Sequence, residues 1–185
     1  MTRICTDTIV DWRHIQDPAC SLAIEDRPVP ISRQTIDTML GHGAFYRIAD
    51  GTLAAIEAEF ADLPSDLRAD ILHLGGRFRD LMQVETIRVR LEVVTTNACQ
   101  KVHADFTDVR LITTYAGPGT DYAADDDPGC CLERMPAGWI GLFKGRRFGP
   151  GHAPRLHRSP PIEGMGEDRL VLVIDTPIFA SDPLT

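Results

Sequence analysis

The stretch Leu170-Val171-Leu172-Val173-Ile174 is apolar at every position and lies between Arg169 and Asp175. Residues of this kind favour an extended strand, in which successive side chains point to opposite faces. Both faces of such a strand are therefore apolar, and both need cover from other parts of the chain. We expect a β-barrel whose interior lies on one face of this strand, with helices on the other.

The helices that would cover the outer face are predicted in the N-terminal part of the chain. After Pro64-Ser65, apolar residues recur at helical spacing and form one stripe: Leu67, Ile71, Leu74, Phe78 and Leu81. Two shorter helices are predicted upstream, one capped by Ser32 and stopped by Gly41, the other over about residues 52–61. The remainder of residues 1–50 is predicted to be irregular.

From residue 84 onward the pattern changes from helical to strand-like. Val, Ile and Thr dominate residues 84–96, where apolar and polar side chains alternate in part. Further strands are predicted at 109–115, 139–143, 155–157 and 169–175, between turns rich in glycine, proline and aspartate. The sequence predicts a single domain over 1–185 with an α+β, mainly β fold. An irregular and helical region (1–83) would back a double-stranded β-helix core (84–178), a cupin-like jelly roll.

Composition excludes several classes of function. The chain has 185 residues, 43% hydrophobic and 25% charged, with a formal net charge of −8. An acidic chain without a long basic run is a poor ligand for nucleic acid or anionic membranes, and no apolar stretch is long enough to span a bilayer. The runs Lys144-Gly145-Arg146-Arg147 and Asp125-Asp126-Asp127 are interpreted as solvated turns. Five cysteines, including the adjacent pair Cys130-Cys131, and no secretory signal indicate a cytoplasmic protein with reduced thiols.

The histidines at positions 103 and 157 carry the strongest chemical signal. His103 and Asp105 are two positions apart, so on an extended chain both side chains leave the same face. A His-x-Asp pair followed by a distant His is the ligand pattern of a 2-His-1-carboxylate triad. Such a triad holds non-haem Fe(II) and leaves open coordination positions. We therefore predict that His103, Asp105 and His157 bind a metal and form the catalytic centre.

Arg169 adds a cation to this pattern. It begins the final strand on the side assigned to the barrel interior, and consecutive barrel strands are expected to pair, which would bring Arg169 near His157. A guanidinium buried there needs an anionic partner. The carboxylate of a bound molecule, engaged by two nitrogens, would meet that need. A salt bridge to Glu167 or Asp175 is the alternative.

Segments along the second half of the chain carry a resemblance to a known superfamily. They are His103-Ala104-Asp105, Leu111-Ile112-Thr113-Thr114-Tyr115, Trp139-Ile140-Gly141-Leu142-Phe143, His157 and Arg169-Leu170-Val171-Leu172-Val173. In this order they resemble the core of the Fe(II)/2-oxoglutarate-dependent dioxygenases. The resemblance implies that Arg169 clamps the distal carboxylate of 2-oxoglutarate and that the Tyr115 hydroxyl bonds the same carboxylate. It also implies that Lys144 adds positive potential.

A narrower resemblance points to a second function. The H-x-D pair, the turn Thr114-Tyr115-Ala116-Gly117-Pro118-Gly119-Thr120, Lys144-Gly145 and His157-Arg158-Ser159-Pro160 resemble the bacterial domain-of-unknown-function family 1826. That family is associated with zinc-responsive gene clusters and CobW-type GTPases. The implied alternative is a non-catalytic zinc-binding protein of metal homeostasis, partner of a CobW-type GTPase, with Cys99 as an additional soft ligand.

The leading hypothesis is a hydroxylase-type Fe(II)/2-oxoglutarate-dependent oxygenase acting on a small molecule or protein that the sequence does not identify. An oxygenase needs Arg169 and Tyr115 to face the metal across a gap of cosubstrate size, whereas a zinc carrier has no use for them. A metal-free cupin-like binding module is the third hypothesis. It requires His103 and His157 to lie far apart.

Overall fold

The computed structural model describes residues 3–7, 11–124 and 131–177, so the acidic turn at 125–127 and Cys130 lie outside the described residues. A short 3-10 helix (Trp12–Gln16) precedes three α-helices: α1 (Arg33–Leu40), α2 (Leu53–Glu59) and α3 (Ser65–Met82). The strands are β1 (Arg3–Asp7), β2 (Cys20–Glu25), β3 (Phe45–Gly51), β4 (Ile87–Val94), β5 (Val109–Ala116), β6 (Asp121–Ala123), β7 (Leu132–Arg134), β8 (Ile140–Lys144), β9 (His157–Arg158) and β10 (Arg169–Asp175).

The predicted helices form where their caps and apolar stripes indicate. The Ser32 side chain accepts a hydrogen bond from the backbone N–H of Thr35 and starts α1. The Thr52 side chain caps α2 in the same way. All members of the predicted apolar stripe on α3 are buried. None of the described helices combines the length and the apolarity needed to cross a bilayer.

The strands form two sheets. The larger has the order β1-β2-β8-β5-β10-β4-β3, and the smaller has the order β7-β6-β9. Strand β10 lies inside the larger sheet, antiparallel to both β4 and β5. An isolated antiparallel bridge between His103 and His157 extends the smaller sheet beyond β9. The order of strands in the two sheets is that of a double-stranded β-helix, and the predicted mainly β jelly roll is confirmed.

The final strand is covered on both faces, as its composition predicts. Leu170, Leu172 and Ile174 belong to the large core between the main sheet and the helices. Val171 belongs to a smaller apolar cluster on the opposite face, between the two sheets. That smaller cluster consists of Leu22, Ile24, Ile112, Tyr122, Met135, Phe143 and Val171. The space between the two sheets is therefore apolar at this cluster.

The first fifty residues contain more structure than predicted. Strands β1, β2 and β3 all join the larger sheet, β1 and β2 at one edge and β3 at the other. Strand β1 runs parallel to β2, and β3 pairs with β4 over its full length. The prediction of an irregular N-terminal segment is wrong here because these strands are held by partners distant in sequence rather than by a local pattern.

Candidate metal and cosubstrate site

Backbone pairing brings the two histidines together. The backbone N–H of His103 donates to the carbonyl of His157 at 3.0 Å, and that of His157 donates to the carbonyl of His103 at 2.8 Å. This bridge places Asp105, two residues further along, beside both rings. The three residues are thus positioned by one contact between a loop and β9.

The side chains of His103, Asp105 and His157 form a compact group of donor atoms. One donor atom from each residue lies within 4.8 Å of the others. His157 Nε2 is 3.0 Å from Asp105 Oδ2, and His103 Nε2 is 3.6 Å from Asp105 Oδ1. The centroids of the two imidazole rings are 5.0 Å apart. This proximity contradicts the metal-free module, which requires distant histidines. Cys99 is exposed and is not a member of the donor group found among the described residues.

Hydrogen bonds prepare both imidazoles to bind a cation through Nε2. His103 Nδ1 lies 2.8 Å from the carbonyl oxygen of Lys101, and His157 Nδ1 lies 3.2 Å from that of Arg155. A carbonyl oxygen only accepts, so these contacts favour the tautomer with the proton on Nδ1, in which Nε2 of the neutral ring offers its lone pair. Asp105 Oδ2 is buried and accepts no hydrogen bond. Three acceptor atoms thus converge, and a metal ion would satisfy all of them.

Arg110, on β5, orients the carboxylate of this group. One of its terminal nitrogens contacts Asp105 Oδ1, while Nε and Nη2 each donate to Asp175 at 2.8 Å. Burial alone would raise the pKa of Asp105, but contacts with His103 and His157 and the charge of Arg110 hold it well below its usual range. Asp105 in turn raises the pKa of His103. Arg110 was not predicted from the sequence as a site residue, although it lies on the same face of β5 as Ile112, the face toward the interior.

Arg169 is buried among neutral acceptors. Its Nε donates to the carbonyl of Pro118 at 2.6 Å, Nη1 to the hydroxyl of Ser159 at 2.8 Å and Nη2 to that of Thr114 at 3.4 Å. The side chain makes no ion pair with the described residues, and loss of solvation lowers its pKa to about 10. The alternative salt bridges do not form, since Asp175 is paired with Arg110 and Glu167 is exposed.

The loop before β6 holds this guanidinium in place. Pro118 lies between Gly117 and Gly119, and Gly117 has a φ of +78°. A Cβ at Gly117 would collide with the carbonyl oxygen of Asp168, the residue before Arg169. The glycine therefore permits the loop to approach β10 closely enough for the Pro118 carbonyl to accept a hydrogen bond from Arg169.

A narrow cavity of about 60 Å³ connects Arg169 with the metal-binding group. Its walls are formed by His103, Thr120, His157, Ser159, Arg169 and Val171, among others. Arg169 and His157 reach this cavity from different sheets, because β9 pairs with β6 whereas β10 pairs with β4 and β5. The expectation that they lie on neighbouring strands is therefore wrong, and they face one another across the barrel.

Tyr115 is not brought to this cavity. It is fully buried on the helix side of the main sheet, where its hydroxyl donates to Asp70 Oδ2 at 2.7 Å. Burial and the charge of Asp70 raise the pKa of Tyr115 well above its ordinary value. The predicted role of Tyr115 is wrong because alternation along β5 places it on the face opposite Thr114.

Lys144 also lies outside the cavity. It is buried, its Nζ donates to the backbone carbonyl of Asp17 at 2.6 Å, and it lies 4.1 Å from the centroid of the Phe148 ring. Along β8 it shares a face with Ile140 and Leu142, which belong to the core under the helices. The expectation that Lys144 adds positive potential near the cosubstrate is therefore wrong.

Comparison with known proteins places the chain in a family. The model of the family described as protein of unknown function DUF1826 matches residues 6–175. The chain belongs to this family. The DUF1826 match extends well beyond the segments that carried the resemblance, into the N-terminal strands and helices. No curated protein matches the chain.

Solved structures share the fold of this DUF1826 chain. JOX2 in complex with 2OG, Fe and JA superposes with a TM-score of 0.59 and 10% identity, over 100% of this chain and 78% of that one. The 2-oxoglutarate complex of AtDAO1, the dioxygenase for auxin oxidation 1 from Arabidopsis thaliana, gives 0.58 and 10% over 99% and 95%. The dioxygenase for auxin oxidation in rice gives 0.54 and 12% over 92% and 78%. At these identities the similarity shows the fold, which is that of Fe(II)/2-oxoglutarate dioxygenases.

Proposed function

We propose that the protein is an Fe(II)/2-oxoglutarate-dependent oxygenase. The observation that carries the proposal is Arg169. It is a buried guanidinium with only neutral acceptors, and it opens onto the same cavity as two histidines whose Nε2 atoms are free to bind a metal. The charges of Asp121 and Glu92 act on Arg169 without forming an ion pair, and burial still lowers its pKa. An anionic ligand with a carboxylate at this depth would compensate the buried cation directly.

The residues of the site divide the binding of metal and cosubstrate between them. His103, Asp105 and His157 would hold Fe(II), because a 2-His-1-carboxylate set suits that ion and leaves positions for further ligands. Arg169 would hold the distal carboxylate of 2-oxoglutarate, and the Ser159 hydroxyl, which Arg169 contacts at 2.8 Å, would lie beside it. When bound, the iron and 2-oxoglutarate together supply the activation of oxygen.

The fold supports the same proposal from a separate direction. Proteins with this jelly roll include complexes with 2-oxoglutarate and iron. The fold alone does not determine the activity, since one fold hosts many functions. The side chains of this chain, rather than the similarity, therefore support the chemistry.

Anaerobic titration of metal-free protein with Fe(II) and then 2-oxoglutarate tests the proposal. Chelation of the cosubstrate to the iron is expected to produce a visible metal-to-ligand charge-transfer band. In an Arg169→Met variant, the 2-oxoglutarate concentration needed to produce the band is expected to rise at least about tenfold, because a charge-assisted contact is lost. Tyr115→Phe is the matched control, since its hydroxyl contacts Asp70 and its loss leaves cosubstrate binding unchanged.

Two results would overturn the proposal. One is the absence of the band at saturating iron and 2-oxoglutarate while zinc binds tightly. That result would favour a zinc-binding protein of metal homeostasis with a CobW-type GTPase partner. The other is an Asp105→Ala variant that still turns over 2-oxoglutarate in a metal-dependent manner. That result would show that the three residues are not the metal ligands.

A further inference from the structure

A second and much larger cavity adjoins the metal-binding group. Its volume is about 750 Å³, and it is lined by His103 and Asp105 but not by Arg169. A cavity of this size matches small-molecule sites, which fall between roughly 300 and 1,000 Å³. Because Arg169 is not part of its walls, a dicarboxylate held by Arg169 would leave this cavity open to another molecule.

The charges that line this cavity balance one another. Its walls carry four carboxylates and four guanidiniums, so their formal sum is zero when His103 is neutral, as a metal-binding imidazole is. The charges of a divalent metal ion and a dicarboxylate bound beside the cavity would cancel as well. The cavity therefore has no excess charge that would attract an anion or a cation.

The partly buried and buried charged groups of the cavity have partners within the protein. Arg110 donates two hydrogen bonds to Asp175 and also contacts the carboxylate of the metal-binding group. Asp108 Oδ1 accepts hydrogen bonds from a backbone N–H and from two threonine hydroxyls. Arg90 lies 3.1 Å from Glu92. A charged ligand would lose its hydration beside groups whose charges are already compensated, which is unfavourable.

The other charged side chains lie at the margin of the cavity. Glu85 and Arg146 are exposed, so water solvates their charges. Arg147 is exposed as well, and it is engaged with the protein, since its guanidinium lies 5.7 Å from the centroid of the Phe106 ring, a cation–π distance. The margin therefore adds an aromatic ring to the cavity and no charge that requires a ligand.

Phe106 is the large apolar side chain of this cavity. It follows Asp105 directly, is 43% exposed, and is the exposed phenylalanine of the part of the chain that the structure describes. The carbonyls on either side of it, those of Asp105 and Thr107, accept hydrogen bonds from the backbone N–H groups of Arg146 and Arg147, both at 2.9 Å. An aromatic ring fixed in this way beside a metal ligand gains free energy when an apolar group packs against it and removes it from water.

We propose that this cavity binds an uncharged small molecule with an aromatic or other apolar group, and that contact with Phe106 selects it. That the bound molecule is the one oxidised rests on the proposed function, whereas its binding at this place does not. Because Phe106 follows Asp105 directly, the apolar group would be held beside the metal-binding group. The inferred substrate class is therefore neutral apolar compounds rather than organic acids or amines.

Binding of three related probes to metal-free protein tests this inference. The probes are 3-phenylpropanamide, 3-phenylpropionate and 3-phenylpropylammonium, measured by ligand-observed NMR titration. The neutral amide is expected to bind at least about fivefold more tightly than either ion, because an uncompensated charge is costly to desolvate. Phe106→Ala is expected to weaken binding of the amide by at least about fivefold, because the aromatic contact is lost. Tyr46→Ala removes an exposed aromatic ring that does not line the cavity, and this matched control keeps the affinity.

Mn(II) bound to the protein locates the probe, because its paramagnetism broadens the NMR signals of a molecule held beside the metal-binding group. The inference is overturned if the amide does not bind, if either ion binds as tightly as the amide, or if Phe106→Ala keeps the affinity for the amide. It is also overturned if bound Mn(II) leaves the signals of the bound amide unbroadened. If the amide binds through Phe106 but iron and 2-oxoglutarate give no charge-transfer band, the neutral site stands and the proposed oxygenase fails.

Discussion

At the scale of single residues, the site depends on how one carboxylate is shared. Arg110 contacts Asp105 Oδ1 and is held by two hydrogen bonds to Asp175, while Oδ2 remains without a hydrogen bond and lies 3.0 Å from His157 Nε2. The guanidinium therefore occupies one oxygen and directs the other toward the histidines. Groups that orient metal ligands in this way typically change metal affinity when they are removed.

We predict that Arg110→Gln weakens metal binding by about 10- to 100-fold, the usual effect of losing a residue that orients a ligand. The affinity is measured by titration of metal-free protein with Mn(II) under electron paramagnetic resonance. Arg90→Gln is the control. Arg90 lines the same cavity of about 750 Å³ beside the metal-binding group as Arg110 does, but it is paired with Glu92. Equal Mn(II) affinities of Arg110→Gln and the unaltered protein would show that Arg110 does not orient the ligand.

Residue types and spacing explain which site residues could be predicted. His103, Asp105 and His157 could be grouped from the sequence because H-x-D with a distant His is the ligand pattern of a 2-His-1-carboxylate triad, and they lie together in the structure. Arg169 could be singled out because a cation that begins an apolar strand is buried and needs an acceptor. Tyr115 is different. Its contact with 2-oxoglutarate was inferred from the resemblance alone, and that contact requires Tyr115 to lie on the interior face of β5. Thr114 and Arg110 occupy the interior face, so Tyr115 lies on the opposite one.

At the scale of elements, helix α3 and strand β10 were predictable and strands β1 to β3 were not. The α3 stripe and the apolar run of β10 each show a local pattern that decides the element. In contrast, β3 alternates poorly and lies at an edge of the sheet, and β1 pairs parallel to β2. Pairing with partners distant in sequence leaves little local signal, so these elements were interpreted as irregular.

A partly buried ionic contact joins β2, the 3-10 helix and α3. Glu25 at the end of β2 accepts hydrogen bonds from Trp12 Nε1 in the 3-10 helix and from Arg77 on α3, both at 2.7 Å to Oε2. The Arg77 guanidinium also lies 3.6 Å from the centroid of the Trp12 ring. Burial raises the pKa of Glu25, but the contacts with Arg77 and Trp12 lower it by more, so that the net pKa is below its ordinary value. The contact therefore holds the N-terminal segment on the helix layer.

We predict that Glu25→Gln lowers the free energy of unfolding by about 1–2 kcal/mol at neutral pH, as expected for lost hydrogen bonds to a charged group. Because the folded pKa lies below the unfolded value, the contribution is complete above about pH 4.5 and is lost as the pH falls through the folded pKa. Urea unfolding of both proteins at a series of pH values measures the difference. Exposed Glu57→Gln is the control, and a difference independent of pH would contradict the prediction.

At the scale of the whole molecule, the two sheets meet at the site. Asp105 is tied to β5 and β10 of the larger sheet through Arg110 and Asp175, whereas His157 belongs to β9 of the smaller sheet. Arg169 reaches across the interior from the larger sheet to Ser159, beside β9. A metal ion and a dicarboxylate bound here would connect both halves of the barrel. Ligands that bind only the folded state raise its stability by mass action.

This arrangement predicts how ligands change thermal stability. Mn(II) is expected to raise the Tm of both the unaltered protein and Arg169→Met, because the three metal ligands are the same in both. Adding 2-oxoglutarate at about 100 times its Kd stabilises the folded state by about 2.7 kcal/mol, or roughly 5–10 °C in a chain of this size. At the same concentration the second increase is expected to be at most about half as large in Arg169→Met, whose Kd for 2-oxoglutarate is at least about tenfold higher. Burial holds the pKa of Arg169 at about 10 until an anion compensates its charge, and Met has no charge to compensate.

Scanning calorimetry of the two proteins with metal alone and with metal and cosubstrate measures both steps. An equal second increase in Arg169→Met would mean that 2-oxoglutarate is bound elsewhere, and that the buried guanidinium serves the packing of the barrel rather than its ligand.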